Sequence, residues 1–246
     1  MYELQFYAGL TLYLILIIVT FGISIFFFRK TRNNSKVRGK FDGYNFLIGI
    51  FFLIESVSFI VRFYFMFIYP QGDMSVFYDS LTAPSFRADH WDYEKLVAIH
   101  IMLVFIAFGT ISLAIEHYIY KKTHHLLCIL IYSTAPILVI LPYNLAVVAQ
   151  NIPIVITIIS VLIMIGFYTN LARKSTGAIR RKSTYIAIGF MLFFGGIVIN
   201  SQSIMTAIHL YTINQAWVAP IWFMLALLIL FYGYKKEVFQ IQEKGH

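Results

Sequence analysis

Apolar stretches of about 20 residues or more, separated by short bursts of lysine and arginine, make up most of the chain and restrict its fold more than any other feature. In hydrocarbon every backbone N–H and C=O must be satisfied within the segment itself, which selects the α-helix. Crossing a core about 30 Å thick takes roughly 20 helical residues. Seven spans meet this requirement, near residues 4 to 28, 43 to 69, 95 to 120, 125 to 143, 147 to 171, 184 to 210 and 214 to 234. Composition agrees: 60% of the 246 residues are hydrophobic and 12% are charged, where a soluble domain carries about 25% charged residues. The expected fold class is an all-α membrane protein, a seven-transmembrane helix bundle over residues 1–246 with no soluble domain.

Orientation follows from the basic residues. Loop 29 to 41 holds Arg29, Lys30, Arg32, Lys36, Arg38 and Lys40, and loop 172 to 183 holds Arg173, Lys174, Arg180, Arg181 and Lys182; Lys121, Lys122, Lys235, Lys236 and Lys244 fall on the same side. The opposite side has Arg87 and Lys95 against Glu3, Asp73, Asp79, Asp89, Asp92 and Glu94. The positive-inside rule then places the N-terminus outside and, with seven spans, the C-terminus in the cytoplasm of a multi-pass cell-membrane protein. Placed this way, the net charge of +8 is a topology signal rather than a nucleic-acid footprint. Trp91, Trp217, Trp222 and the run Phe63 to Tyr69 lie in or near the outer half as an aromatic belt. The first span lacks a basic leader and is followed by Arg29 and Lys30, so it is expected to remain uncleaved. The sequon Asn33-Asn34-Ser35 sits on a loop expected in the cytoplasm and is read as chance. A single cysteine, Cys128, excludes a disulfide framework and a Cys-based zinc site within one chain.

Boundary residues repeat. Arg29-Lys30-Thr31 then Val37-Arg38-Gly39-Lys40 is matched by Arg173-Lys174-Ser175 then Ile179-Arg180-Arg181-Lys182, and Tyr118-Ile119-Tyr120-Lys121-Lys122 by Tyr232-Gly233-Tyr234-Lys235-Lys236. Spans 1 to 3 and 5 to 7 would then be parallel halves joined by span 4, a 3+1+3 repeat. Topology and belt pressures alone also write similar boundary residues.

Candidate functional residues are the polar groups at membrane depth. An ionised side chain there costs several kcal/mol unless it finds a partner, water or the bundle interior, so Glu55 and Arg62 in span 2 come first. Seven residues apart, they share a helical face, which makes a direct or water-bridged pair feasible. Glu55, near the midplane beside Ser56 and Ser58, is the candidate for proton or ion coupling; the competing account is a protonated carboxyl bonded to a neighbouring helix. Arg62 can face the interior or snorkel to the headgroups. In span 6, Asn200, Ser201, Gln202 and Ser203 precede Thr206 and His209, and Gln202, Thr206 and His209 form one polar stripe. With Arg62 and His100, and with Gln150 and Asn151 at the same level, they suggest an outward-facing cavity for a small polar or anionic ligand. Interhelical glue is the alternative. Glu116 and His117, with Arg173, Lys174, Arg180 and Arg181, are candidates for a cytoplasmic relay to a signalling partner. No metal is expected: His90, His100, Asp89 and Asp92 match no ligand spacing. Pro136, Pro142, Pro153, Pro220 and Gly195-Gly196 permit kinks.

Microbial rhodopsins share seven helices, but span 7 has no lysine before Lys235, so retinal has no attachment point and no cofactor is expected. Glu116-His117-Tyr118 occupies the place of the acidic-Arg-Tyr motif of G-protein-coupled receptors with His117 where the defining arginine would be, so that mechanism is not carried over. The stretch from Asn170 through Arg173, Lys174, Gly177, Arg180, Arg181 and Lys182, running into Gly189, resembles the helix 5 to helix 6 boundary of seven-helix sensor regions that precede membrane histidine kinases. The resemblance covers about a tenth of the chain and implies a stand-alone sensory module. The leading expectation is a receptor-like sensor; a proton-coupled carrier using Glu55, a membrane-embedded enzyme and a subunit of a larger assembly are the alternatives, with homo-oligomers open.

Overall fold

A computed structural model describes residues 2–69, 91–119, 124–136, 151–200 and 215–235. Among the described residues there are seven α-helices: α1 (Tyr2–Arg38), α2 (Gly43–Phe63), α3 (Trp91–Tyr118), α4 (Leu126–Thr134), α5 (Asn151–Lys174), α6 (Gly177–Asn200) and α7 (Gln215–Lys235). A π-helical turn, Tyr64–Ile68, extends α2. Among the described residues four segments are long and apolar enough to cross a membrane: Phe6–Arg38, Gly43–Ile68, Lys95–Tyr118 and Val218–Lys235.

Each helix packs against its sequence neighbour and α7 returns to α1, so the seven close into a ring, with α3 also touching α5. Phe59 of α2, Phe223 of α7, Phe193 of α6 and Phe108 of α3 form a chain of ring contacts, 5.5, 5.2 and 5.4 Å between successive centroids. The outward faces are apolar as well: Ile15, Ile18 and Ile25 of α1, Ile159 and Leu162 of α5, and Leu225 and Leu228 of α7 are exposed. Water would make that exterior an aggregation surface, whereas lipid is its ordinary solvent.

The basic segments meet at one end. There Lys30 donates to the carbonyl of Lys235, the last residue of α7, at 2.8 Å, where a cation meets the negative end of the helix dipole. Tyr44 packs edge-on against Tyr118 and Tyr234, and the hydroxyls of Tyr168 and Tyr234 lie 3.3 Å apart. The C-terminal ends of α1, α3, α5 and α7 thus share one end with the N-terminal ends of α2 and α6.

Two expected loops are corrected. Residues 29 to 38 remain helical as the end of α1, and the turn to α2 is only Gly39–Asp42, with Gly39 at φ +66. Lysine and arginine are good helix formers, so nothing stops the helix at the membrane surface. Asp42 then caps α2: its carboxylate accepts from the Asn45 amide N–H, from Asn45 Nδ2 and from Asn34 Nδ2, while its own N–H donates to Ser35 Oγ. Asn34 and Ser35 of the sequon therefore close the hairpin. Likewise α5 runs to Lys174 and α6 begins at Gly177, φ +60, which leaves Ser175–Thr176 as the whole connection. Gly195-Gly196 does not break α6; Trp222 and Phe223 of α7 press against that point.

Candidate functional site

The polar interior of the bundle is organised around α2. Ser56, Ser58, Arg62 and Glu55 are all buried, and each meets a different environment. Ser56 Oγ donates to the Ile17 carbonyl of α1 at 3.4 Å, an ordinary interhelical bond. Ser58, one turn before Arg62, meets His100 of α3: Oγ lies 2.7 Å from Nδ1 and donates to the His100 carbonyl at 3.3 Å, while Nδ1 is 3.0 Å from the Ser58 carbonyl.

Arg62 completes this cluster. Its Nη1 is 3.4 Å from His100 Nε2 and its guanidinium lies 5.6 Å from the centre of the Tyr13 ring on α1, within the range of a cation–π contact. A guanidinium only donates, so Nε2 is the acceptor and the imidazole hydrogen sits on Nδ1, facing Ser58. That arrangement gives the Nδ1 hydrogen and the Ser58 hydroxyl hydrogen each an acceptor. Phe65 of the π-helical turn meets His100 edge-on at 5.9 Å. Phe65, Met66 and Phe67 of the π-helical turn are all buried, and such turns are often found at functional sites.

Glu55 stands apart. Its side chain is 0% exposed and, among the described residues, neither carboxyl oxygen has a hydrogen-bond partner. The direct pair with Arg62 that their spacing makes feasible is not formed: the two lie about 10 Å apart along the helix axis, and Arg62 meets Tyr13 of α1 and His100 of α3. Arg62 is 7% exposed, so it faces the interior rather than the headgroups.

At the basic end, Glu116 is 2% exposed. Its two oxygens accept the Leu127 and Cys128 amide N–H groups, each at 3.1 Å, which are the second and third residues of α4 and have no intrahelical acceptor. The turn before them takes His124 and His125 to φ 48 and 66, and His117 Nδ1 lies 3.1 Å from His125 Nε2, one nitrogen donating to the other. Arg173, Lys174, Arg180 and Arg181 are all exposed around the α5–α6 link.

Of the anticipated cavity, the structure brings Arg62 and His100 together. Asn200 ends α6; Gln202, Thr206 and His209 lie outside the described residues, as do His90, Asp89 and Gln150. No group of three or more metal-ligating side chains occurs among the described residues. Tyr13 and His125 had no sequence signal: an aromatic in an apolar helix and a histidine in a loop are common everywhere. Ser58 had one, since it lies four residues before Arg62 on the same face. No protein-family model, curated protein or solved structure matches the chain.

Proposed function

We propose that the protein is a seven-span cell-membrane carrier, N-terminus outside and C-terminus cytoplasmic, in which Glu55 takes up and releases a proton as a small polar solute moves. The lone carboxyl of Glu55 carries this reading. A carboxyl that served as interhelical glue would be hydrogen-bonded to a neighbour, as Ser56 and Ser58 are, and Glu55 makes no such bond among the described residues. A carboxylate without partner or water in hydrocarbon is costly, so this closed arrangement suits the protonated form. Release requires water to reach Glu55, which a second arrangement of the bundle would supply; the proton passes to that water and the carboxylate is left solvated.

Proteoliposomes with an inward proton gradient test it with a panel of small polar solutes. Wild type is expected to accumulate at least one of them, and Glu55→Gln to exchange that solute without accumulating it. Equal accumulation by Glu55→Gln removes the coupling role.

A receptor-like sensor is the second reading, favoured by the buried Arg62–His100 pair, which can offer charge and orientation to a small anionic ligand. Asn200, Gln202, Thr206 and His209 would complete the site, and the basic residues of the α5–α6 hairpin would face a signalling partner. Failure of wild type to accumulate any solute, together with ligand-dependent thermal stabilisation that Arg62→Ala abolishes, would select it.

A further inference from the structure

The α5–α6 hairpin encloses a groove of about 270 Å³ whose walls change character with depth. Thr169 and Arg173 of α5 face Arg180 and Thr184 of α6 at its mouth, and Ile188 and Met191 line its lower part. Arg180, Thr184 and Ile188 follow one another at four-residue spacing on one stripe of α6, and Met191 lies about 16 Å below Arg180 along the axis. Ile188 and Met191 are exposed on the outside of the bundle. Among the described residues neither guanidinium has a hydrogen bond or an ion pair, and no carboxylate lines the groove.

Two unpaired arginines above an open apolar wall, within the length of a headgroup and part of a chain, match the depth profile of a phospholipid. The α1–α2 hairpin repeats the construction: a groove of about 620 Å³ has Arg32 and Lys36 above Phe28 and Phe46. We propose that the α5–α6 groove is a binding site for an anionic phospholipid, its phosphate held between Arg173 and Arg180 and an acyl chain lying along Ile188 and Met191. Arginine is suited to this because its planar fork matches phosphate oxygens two at a time. Lys174 and Arg181, of equal charge, do not line the groove and supply only general attraction to the leaflet.

Native mass spectrometry of the whole protein, released from mixed phosphatidylcholine and phosphatidylglycerol micelles, reads the occupancy. Wild type is expected to retain phosphatidylglycerol preferentially, and Arg173→Ala with Arg180→Ala to weaken that retention about tenfold or more. Lys174→Ala with Arg181→Ala should lose less than half as much. Equal losses in the two variants, no preference in wild type, or displacement of the lipid by inorganic phosphate would each overturn the proposal. Phosphatidylglycerol carrying a photoreactive chain gives a readout on unaltered protein: crosslinks to the segment 184–191 are expected, and their absence there would also overturn it.

Discussion

Glu116 joins two helices through one side chain, because the carboxylate that ends α3 accepts both of the amides that open α4. Charge-assisted caps of this kind contribute about 1 to 2 kcal/mol. The Cys128 thiol, buried and donating to the His125 carbonyl, reports on them directly. Glu116→Ala is expected to raise the alkylation rate of Cys128 several-fold, with Glu116→Gln intermediate because its amide keeps one acceptor oxygen. Unchanged rates in both variants would show that the turn holds without the cap. Glu116 was visible in the sequence as an acid at a span boundary. Its target was not, since the amides reach it only after His124 and His125 adopt left-handed backbone, which neither residue type announces. Glu55 and Arg62 were legible for a firmer reason, the cost of charge in hydrocarbon. Spacing along one helix predicted a pair between them, but helical spacing carries no information about α3, whose His100 is the group Arg62 meets.

Between elements, α6 and α7 approach each other closely at two glycines. A Cβ at Gly189 would stand 2.6 Å from Leu230 Cγ and 3.1 Å from its backbone N, and one at Gly233 would stand 2.6 Å from Ile186 Cγ1 and 3.2 Å from its N. Backbone cannot move aside as a side chain can, so Gly189→Ala and Gly233→Ala should each separate the helices and cost about 1 to 3 kcal/mol. Gly22 and Gly166 have nothing within 4 Å of that position, and alanine there should leave the melting temperature within about a degree or raise it. Thermal unfolding in detergent compares all four. If Gly189→Ala and Gly233→Ala melt with wild type, the α6–α7 contact is looser than its geometry. The positions of the four long apolar helices could be read from the sequence because bilayer thickness sets span length. Helix ends at the basic side could not, because arginine and lysine mark the membrane surface and favour helix at once, so α1 and α5 continue past the boundary the charges suggest.

For the molecule as a whole, the ring of neighbours puts six helix ends together at the basic side, and the expectation from the charge pattern is that this side faces the cytoplasm. In a Cys128→Ala background, Lys36→Cys is expected to react with an impermeant maleimide only after cells are permeabilised. Labelling of intact cells would invert the orientation and the direction of any solute movement assigned to it. The 37 residues of α1 give it a length of about 55 Å, against a core of about 30 Å. With Arg29 at the membrane surface, the stretch from Arg29 to Arg38 would stand clear of the hydrocarbon as a stiff post some 15 Å tall, braced at its foot by Lys30 against the last carbonyl of α7. A water-soluble protein settling on this flank would meet the tip before the bilayer, and sideways force there would be levered through α1 into its two neighbours, α2 and α7.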